Sequence, residues 1–172
     1  TIEVQATFKN GEVKRTKRSF FNGLLEQPAP MRLSWVRNVG ASVYMTAPVV
    51  QENKVYLATI DENGTGKSAL VCLDANTGAI CWKYPIRGSV RSSIAVSKGY
   101  VLAQDVYGSL YAVDALTGRL IWEKNLGVGM LPGLNDGLLA VGDVVYAGTG
   151  LSLCALQISD GKLLWRNKDW SR

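Results

Sequence analysis

Apolar residues along this chain come in runs of four to six, rich in Val, Ile and Tyr and bounded by Gly or Asn. Runs of that length with those boundaries read as strands, and no helical period competes with them. They fall in pairs: Ala47–Gln51 with Lys54–Thr59, Ser93–Ser97 with Tyr100–Ala103, and Leu138–Val141 with Val144–Ala147. Each pair is divided by a short turn, at Glu52-Asn53, Lys98-Gly99 and Gly142-Asp143.

A second hairpin follows each pair, and here the chain repeats without gaps. The copies are VCLDANTGAICW (71–82), YAVDALTGRLIW (111–122) and CALQISDGKLLW (154–165). Aligned on its Trp, each carries Gly four residues earlier and Asp, or Gln157 in the third, eight earlier. The Trp-to-Trp intervals are 40 and 43 residues. An apolar strand enters a polar turn and an apolar strand leaves. Gly78, Gly118 and Gly161 supply the positive φ such a turn needs. Asp74 and Asp114 can accept hydrogen bonds from turn amides.

Each unit of about 40 residues thus holds four antiparallel strands, the period of a propeller blade. Trp82, Trp122 and Trp165 are expected on the outermost strands, each covering a neighbouring blade while its N–H meets a backbone acceptor. Trp35 lies 47 residues before Trp82. Arg32–Val36 is therefore either the outer strand of an earlier blade or the first strand of a new one.

The expected fold is all-β: a partial β-propeller of three to four blades over 32–172, at about 43–85, 93–125 and 138–167. Residues 1–31 are expected to be a β-hairpin and linker, the end of a preceding β-rich domain. Asn10-Gly11 marks the tip of a hairpin there, and Ile2, Val4 and Ala6 alternate along one face. Gln27-Pro28-Ala29-Pro30 reads as a linker. The chain begins at Thr1 rather than Met, as a trimmed piece or a mature fragment would. A propeller usually needs at least four blades to close. An incomplete arc would expose apolar blade faces to missing blades or to a second copy.

The pattern A-x-D-x-x-x-G-x-x-x-W resembles the tryptophan-docking repeat of the PQQ-like propeller superfamily. Ala112, Asp114, Gly118 and Trp122 match it fully. Cys72 replaces Ala in the first unit, which keeps Asp74, Gly78 and Trp82; the third keeps Ala155, Gly161 and Trp165. The resemblance covers about 32–172. It implies a periplasmic or extracellular location and a choice among several roles. The family includes quinone-dependent alcohol and glucose dehydrogenases, and the lipoprotein scaffold of the outer-membrane β-barrel assembly machine. A β-rich extension ahead of such a propeller also resembles some secreted calcineurin-like phosphoesterases. Fold alone does not choose among them. The dehydrogenases carry a vicinal cysteine pair near the quinone, and this sequence has none.

Composition narrows the field. The 172 residues are 47% hydrophobic and 19% charged, enough to build a core and unlike a disordered chain. The net charge is +5, part of it from Lys9, Lys14, Arg15, Lys17 and Arg18. That cluster could meet nucleic acid or anionic lipid. No aromatic residue interleaves with it until Phe20, so we read it as a solvated hairpin face and expect no nucleic-acid partner. There is no histidine, which removes the commonest general base and metal ligand. No apolar run approaches the roughly 20 residues that span a bilayer, so no membrane insertion is expected.

Several motifs invite chemistry. Residues 61–68 read DENGTGKS, whose end imitates a phosphate-binding P-loop. Asp61 stands where that motif needs Gly, and Ala69–Leu73 reads as a strand where it needs a helix. Asp61, Asn63 and Thr65 also resemble the opening of a calcium loop, but Cys72 holds the twelfth position, where a bidentate acid belongs. Asn63-Gly64-Thr65 is a glycosylation sequon. Cys72 and Cys81 flank the first Asp–Gly turn equally. They either bridge the hairpin as a disulfide or are two small buried residues replacing Ala112 and Ile121. Cys154 is then a buried thiol. Asp61, Glu62, Asp105 and Asp136 read as turn residues rather than catalytic acids.

The expected function is a non-catalytic binding or scaffold module, with no cofactor and no metal. Its partner is a protein or the remaining domains of its own chain, with self-association as a further option. The contact surface is expected in loops 61–68, Arg87–Arg91 and Gly127–Asp136, the last carrying Met130-Leu131-Pro132. The alternative is an enzyme fragment: a phosphoesterase accessory domain or part of a quinone-dependent dehydrogenase.

Overall fold

The computed structural model describes residues 32–61, 63–127, 138–150 and 152–167, and the backbone of two N-terminal strands. Two compact units result, residues 1–33 and 34–172. In the first, β1 (Ile2–Thr7) pairs antiparallel with β2 (Val13–Arg18), Thr7 opposite Val13. The Asn10-Gly11 tip and the Gln27–Pro30 linker lie outside the described residues.

The second unit holds three four-stranded antiparallel sheets, each in simple up-and-down order. The first contains β3 (Val49–Gln51), β4 (Lys54–Ala58), β5 (Ala69–Asp74) and β6 (Ile80–Pro85). The second contains β7 (Ala95–Ser97), β8 (Tyr100–Gln104), β9 (Ser109–Asp114) and β10 (Leu120–Asn125). The third contains β11 (Leu138–Val141), β12 (Val144–Gly148), β13 (Leu153–Gln157) and β14 (Leu163–Asn167). The first strands of the first two pairs begin two residues later than the apolar pattern suggests, at Val49 and Ala95. Glu52 and Asn53, and likewise Lys98 and Gly99, have positive φ at both central turn positions. That geometry matches the right-handed strand twist.

The strands pack on both faces, which explains their continuous apolar runs. Val101, Ala103, Tyr111 and Val113 of the second sheet join Tyr56, Ala58, Leu70, Cys72 and Trp82 of the first. The alternate residues Leu102, Leu110 and Ala112 join Val145, Ala147, Cys154 and Leu156 of the third. Leu57, Ala69, Val71 and Leu73, on the other face of the first sheet, meet Val39 and Trp35. Side chains therefore alternate between two interfaces, with strand period two. Each buried Leu or Val contributes about 1.5–3 kcal/mol of transfer free energy. β7 contacts both β3 and β11, so the first strands of successive sheets lie side by side.

The outermost strands differ. Trp82 on β6 is buried, whereas all five residues of β14 are exposed. Arg32–Val36, read as an outer strand of an earlier blade or the first strand of a new one, forms no regular strand. Trp35 nevertheless occupies the place that Trp82 and Trp122 take at the next two seams, ring against the turn glycine of the following sheet.

Gly118 combines two demands. Its φ is +72°, and a Cβ there would lie 2.6 Å from the Trp82 ring. Gly99 has a φ of +80° with open space around it. Gly99→Ala should cost about 1–2 kcal/mol from left-handed strain alone. Gly118→Ala should cost about 1–3 kcal/mol more, because the ring must leave its seat. Urea denaturation of both variants checks this; equal costs would contradict the docking account.

Candidate functional site

The repeat residues build seams between sheets. The Trp35 indole donates to the Ala75 carbonyl at 2.9 Å, Trp82 to Ala115 at 2.9 Å, and Trp122 to Ile158 at 2.7 Å. The rings lie over Gly78, Gly118 and Gly161 respectively, where any Cβ would come within 3.0 Å. Those glycines have φ values of +66°, +72° and +69°, as the turns require. Lys124 Nζ and Arg37 Nε, each two residues after its Trp, donate to the Gly161 and Gly78 carbonyls. Trp165 departs from the expected covering role: it is 45% exposed and meets Tyr146 of its own sheet at 6.0 Å.

The turn acids act as expected. Asp74 Oδ1 accepts from the Asn76 and Thr77 amides and the Thr77 hydroxyl. Asp114 Oδ1 does the same with Leu116 and Thr117. The Thr77 and Thr117 side chains are the main cause holding both carboxyls below the ordinary carboxylate range. Gln157 supports the third turn through backbone alone: Gly161 N donates to its carbonyl at 3.0 Å. Ala112 and Ala155 are fully buried, like Cys72 at the equivalent place.

The two cysteines are unlike. Cys72 is buried and Cys81 exposed, and the structure holds both as free thiols. The reading of two small buried residues is corrected at Cys81. A register shift between Cys72/Leu73 and Trp82/Ile80 leaves Cys81 as the extra residue of a β-bulge. It stands on the outer strand, as exposed Ile121 and Leu164 do in the other sheets. Lys54 Nζ donates to Cys81 Sγ at 3.4 Å and lies 3.5 Å from Asp74 Oδ2. Burial first, then the neighbouring Cys81, pushes the Cys72 thiol up to about 12. Cys154 is a fully buried thiol, with Arg166 Nε 3.2 Å from its sulfur.

At one end of the sheets, the β4–β5 loop, the β6–β7 loop and the β8–β9 turn meet. Sequence reasoning named the first two separately; the structure brings them together. Asp61 Oδ1 accepts from the Thr65 hydroxyl at 3.1 Å, and Oδ2 from the Lys67 amide at 3.0 Å. Backbone donors at Thr65 and Lys67 lower the Asp61 carboxyl to about 2. Asp61, Asn63 and Thr65 line one shallow depression. No group of three or more His, Cys, Asp or Glu gathers to hold a metal among the described residues. β5 follows at Ala69, so the P-loop likeness ends in a strand. No helix among the described residues is long and apolar enough to cross a membrane.

Asp105 is the residue whose setting the sequence concealed. It is fully buried. Its Oδ1 accepts from the Tyr107 and Ser109 amides, and its Oδ2 from the Tyr111 hydroxyl at 3.0 Å. Burial is the main cause raising Tyr111 well above the ordinary tyrosine value. Only the acid followed by Gly108 three residues later hinted at this turn. Glu62, Asp136 and Met130-Leu131-Pro132 lie outside the described residues.

Three four-stranded sheets joined by indole-on-glycine seams define a β-propeller of tryptophan-docking blades. The family profile described as outer membrane protein assembly factor BamB matches residues 27–169, and the chain belongs to that family. Tetrathionate hydrolase of Acidithiobacillus ferrooxidans is 26% identical over 76% of this chain and 29% of its own length. Outer membrane protein assembly factor BamB of Yersinia pestis is 27% identical over 61% of this chain and 27% of its own. The solved quinohemoprotein alcohol dehydrogenase of Comamonas testosteroni has a TM-score of 0.63 and 23% identity, covering 79% of this chain and 22% of that one. The chain thus spans under a third of each of these relatives.

Two outcomes are expected. Trp82→Ala should cost about 3–5 kcal/mol and Trp165→Ala much less, because only the first ring fills a seam; chemical denaturation compares them, and equal losses would refute this. Iodoacetamide at pH 8 should label Cys81 about tenfold faster than Cys72 or Cys154. Peptide mass mapping reads the order, and denaturant should abolish the difference.

Proposed function

We propose that these blades form part of a larger cell-envelope propeller that works as a non-catalytic protein-binding scaffold. The observation that carries this is the use made of the acids. Asp61, Asp74, Asp105 and Asp114 each accept several hydrogen bonds from their own turns. A carboxylate so engaged serves the fold and is poorly placed to move protons for a substrate. The likeness to an outer-membrane assembly factor supports the same reading and an envelope location. On this reading Trp165 docks on the turn glycine of a further blade, as Trp82 does here.

Quinone-dependent dehydrogenases 29% and 34% identical over 51% of this chain favour a second reading, an enzyme segment. The cysteines stand at 72, 81 and 154, so no vicinal pair exists in these 172 residues to sit beside a quinone.

Capture from a cell-envelope extract on the immobilised chain, with mass spectrometry, should return a stoichiometric protein partner. Pyrroloquinoline quinone with calcium should leave the melting temperature unchanged. A ligand at about 100 times its Kd adds about 2.7 kcal/mol, a shift of several degrees. Such a shift without any captured protein would overturn the scaffold reading.

A further inference from the structure

The loops at the meeting of the first two blades line a half-open cavity of about 330 Å³. Arg87 and Arg91 both line it. Neither guanidinium has an ion-pair partner among the described residues. Arg91 Nε is buried with no hydrogen-bond partner among the described residues. The hydroxyl of Ser68, a residue only 2% exposed, is also without a partner there and lines the same cavity.

A buried donor without an acceptor is costly, and a charged one more so. Two such groups around one space, with the exposed Arg87 guanidinium beside them, call for an acceptor that carries negative charge. The described wall contains one carboxylate, Asp61, and the loop's own donors hold both its oxygens. Arg87 lies over the Tyr107 ring, 5.7 Å from its centroid, which restrains the guanidinium. Gly64 and Gly66 have open space where a Cβ would stand, so that side of the cavity carries no side-chain bulk from them. Guanidinium forks fit planar or tetrahedral oxyanions in bidentate fashion. The volume suits a small molecule.

We propose that this inter-blade cavity binds a small oxyanion, a carboxylate or a phosphate, between Arg87, Arg91 and the Ser68 hydroxyl. The proposal stands apart from the scaffold reading and needs no protein partner.

The test is an NMR titration of the 172-residue chain with succinate, with inorganic phosphate and with sodium chloride at matched ionic strength. Saturable shifts of amides in 61–68 and 87–91 are expected, with a Kd of about 1 mM. Succinate acting alone names a carboxylate, phosphate acting alone a phosphate, and either supports the proposal. Arg87→Gln and Arg91→Gln should each weaken binding about tenfold, Ser68→Ala less, and Arg119→Gln, on the distant Asp114 turn, not at all. Arg87 is exposed, so its variant tests the site even if Arg91→Gln does not fold. Shifts matched by chloride, or affinity unchanged in Arg87→Gln, would overturn it.

Discussion

A single contact organises these blades: the face of an indole laid on a glycine of the next sheet. It works only because two requirements coincide at one residue. The turn needs a positive φ, and the ring needs the space a Cβ would fill. Glycine meets both at 78, 118 and 161. The indole N–H then reaches a carbonyl three residues before that glycine, so the ring brings its own polar group into the seam without leaving it unpaired. Register between neighbouring sheets follows from this, since ring and carbonyl must arrive together.

The seam also explains why burial is uneven along outer strands that look alike. Trp82 is buried because the Gly118 turn stands against it, while Trp165 carries the same motif and remains half exposed. A docking tryptophan belongs energetically to the sheet after its own. Trp35 makes the converse point. It performs the docking from a segment without regular strand structure, so ring placement matters more than strand pairing.

The loops gathered at one end are built differently from the seams. There Asp105 anchors a turn through amides and the Tyr111 hydroxyl, and Asp61 shapes its own loop. Among the described residues, the arginines brought alongside find no carboxylate free to pair with. Acids consumed by turn formation leave the cations of this face available, and that imbalance gives the face its chemical character.

The repeat, the strand pairs and the docking residues were legible in the sequence because each rests on local spacing. A turn glycine lies four residues before its Trp wherever it occurs in the chain, and strand period two shows directly in the apolar pattern. What the tertiary structure decided involves residues far apart or off the repeat. The bulge that turns Cys81 outward depends on pairing with β5, and the burial of Trp82 but not Trp165 depends on which ring has a glycine turn against it among the described residues. The burial of Asp105, and the meeting of Ser68 with Arg87 and Arg91, arise only when successive blades stack, since blade packing rather than chain proximity sets those distances.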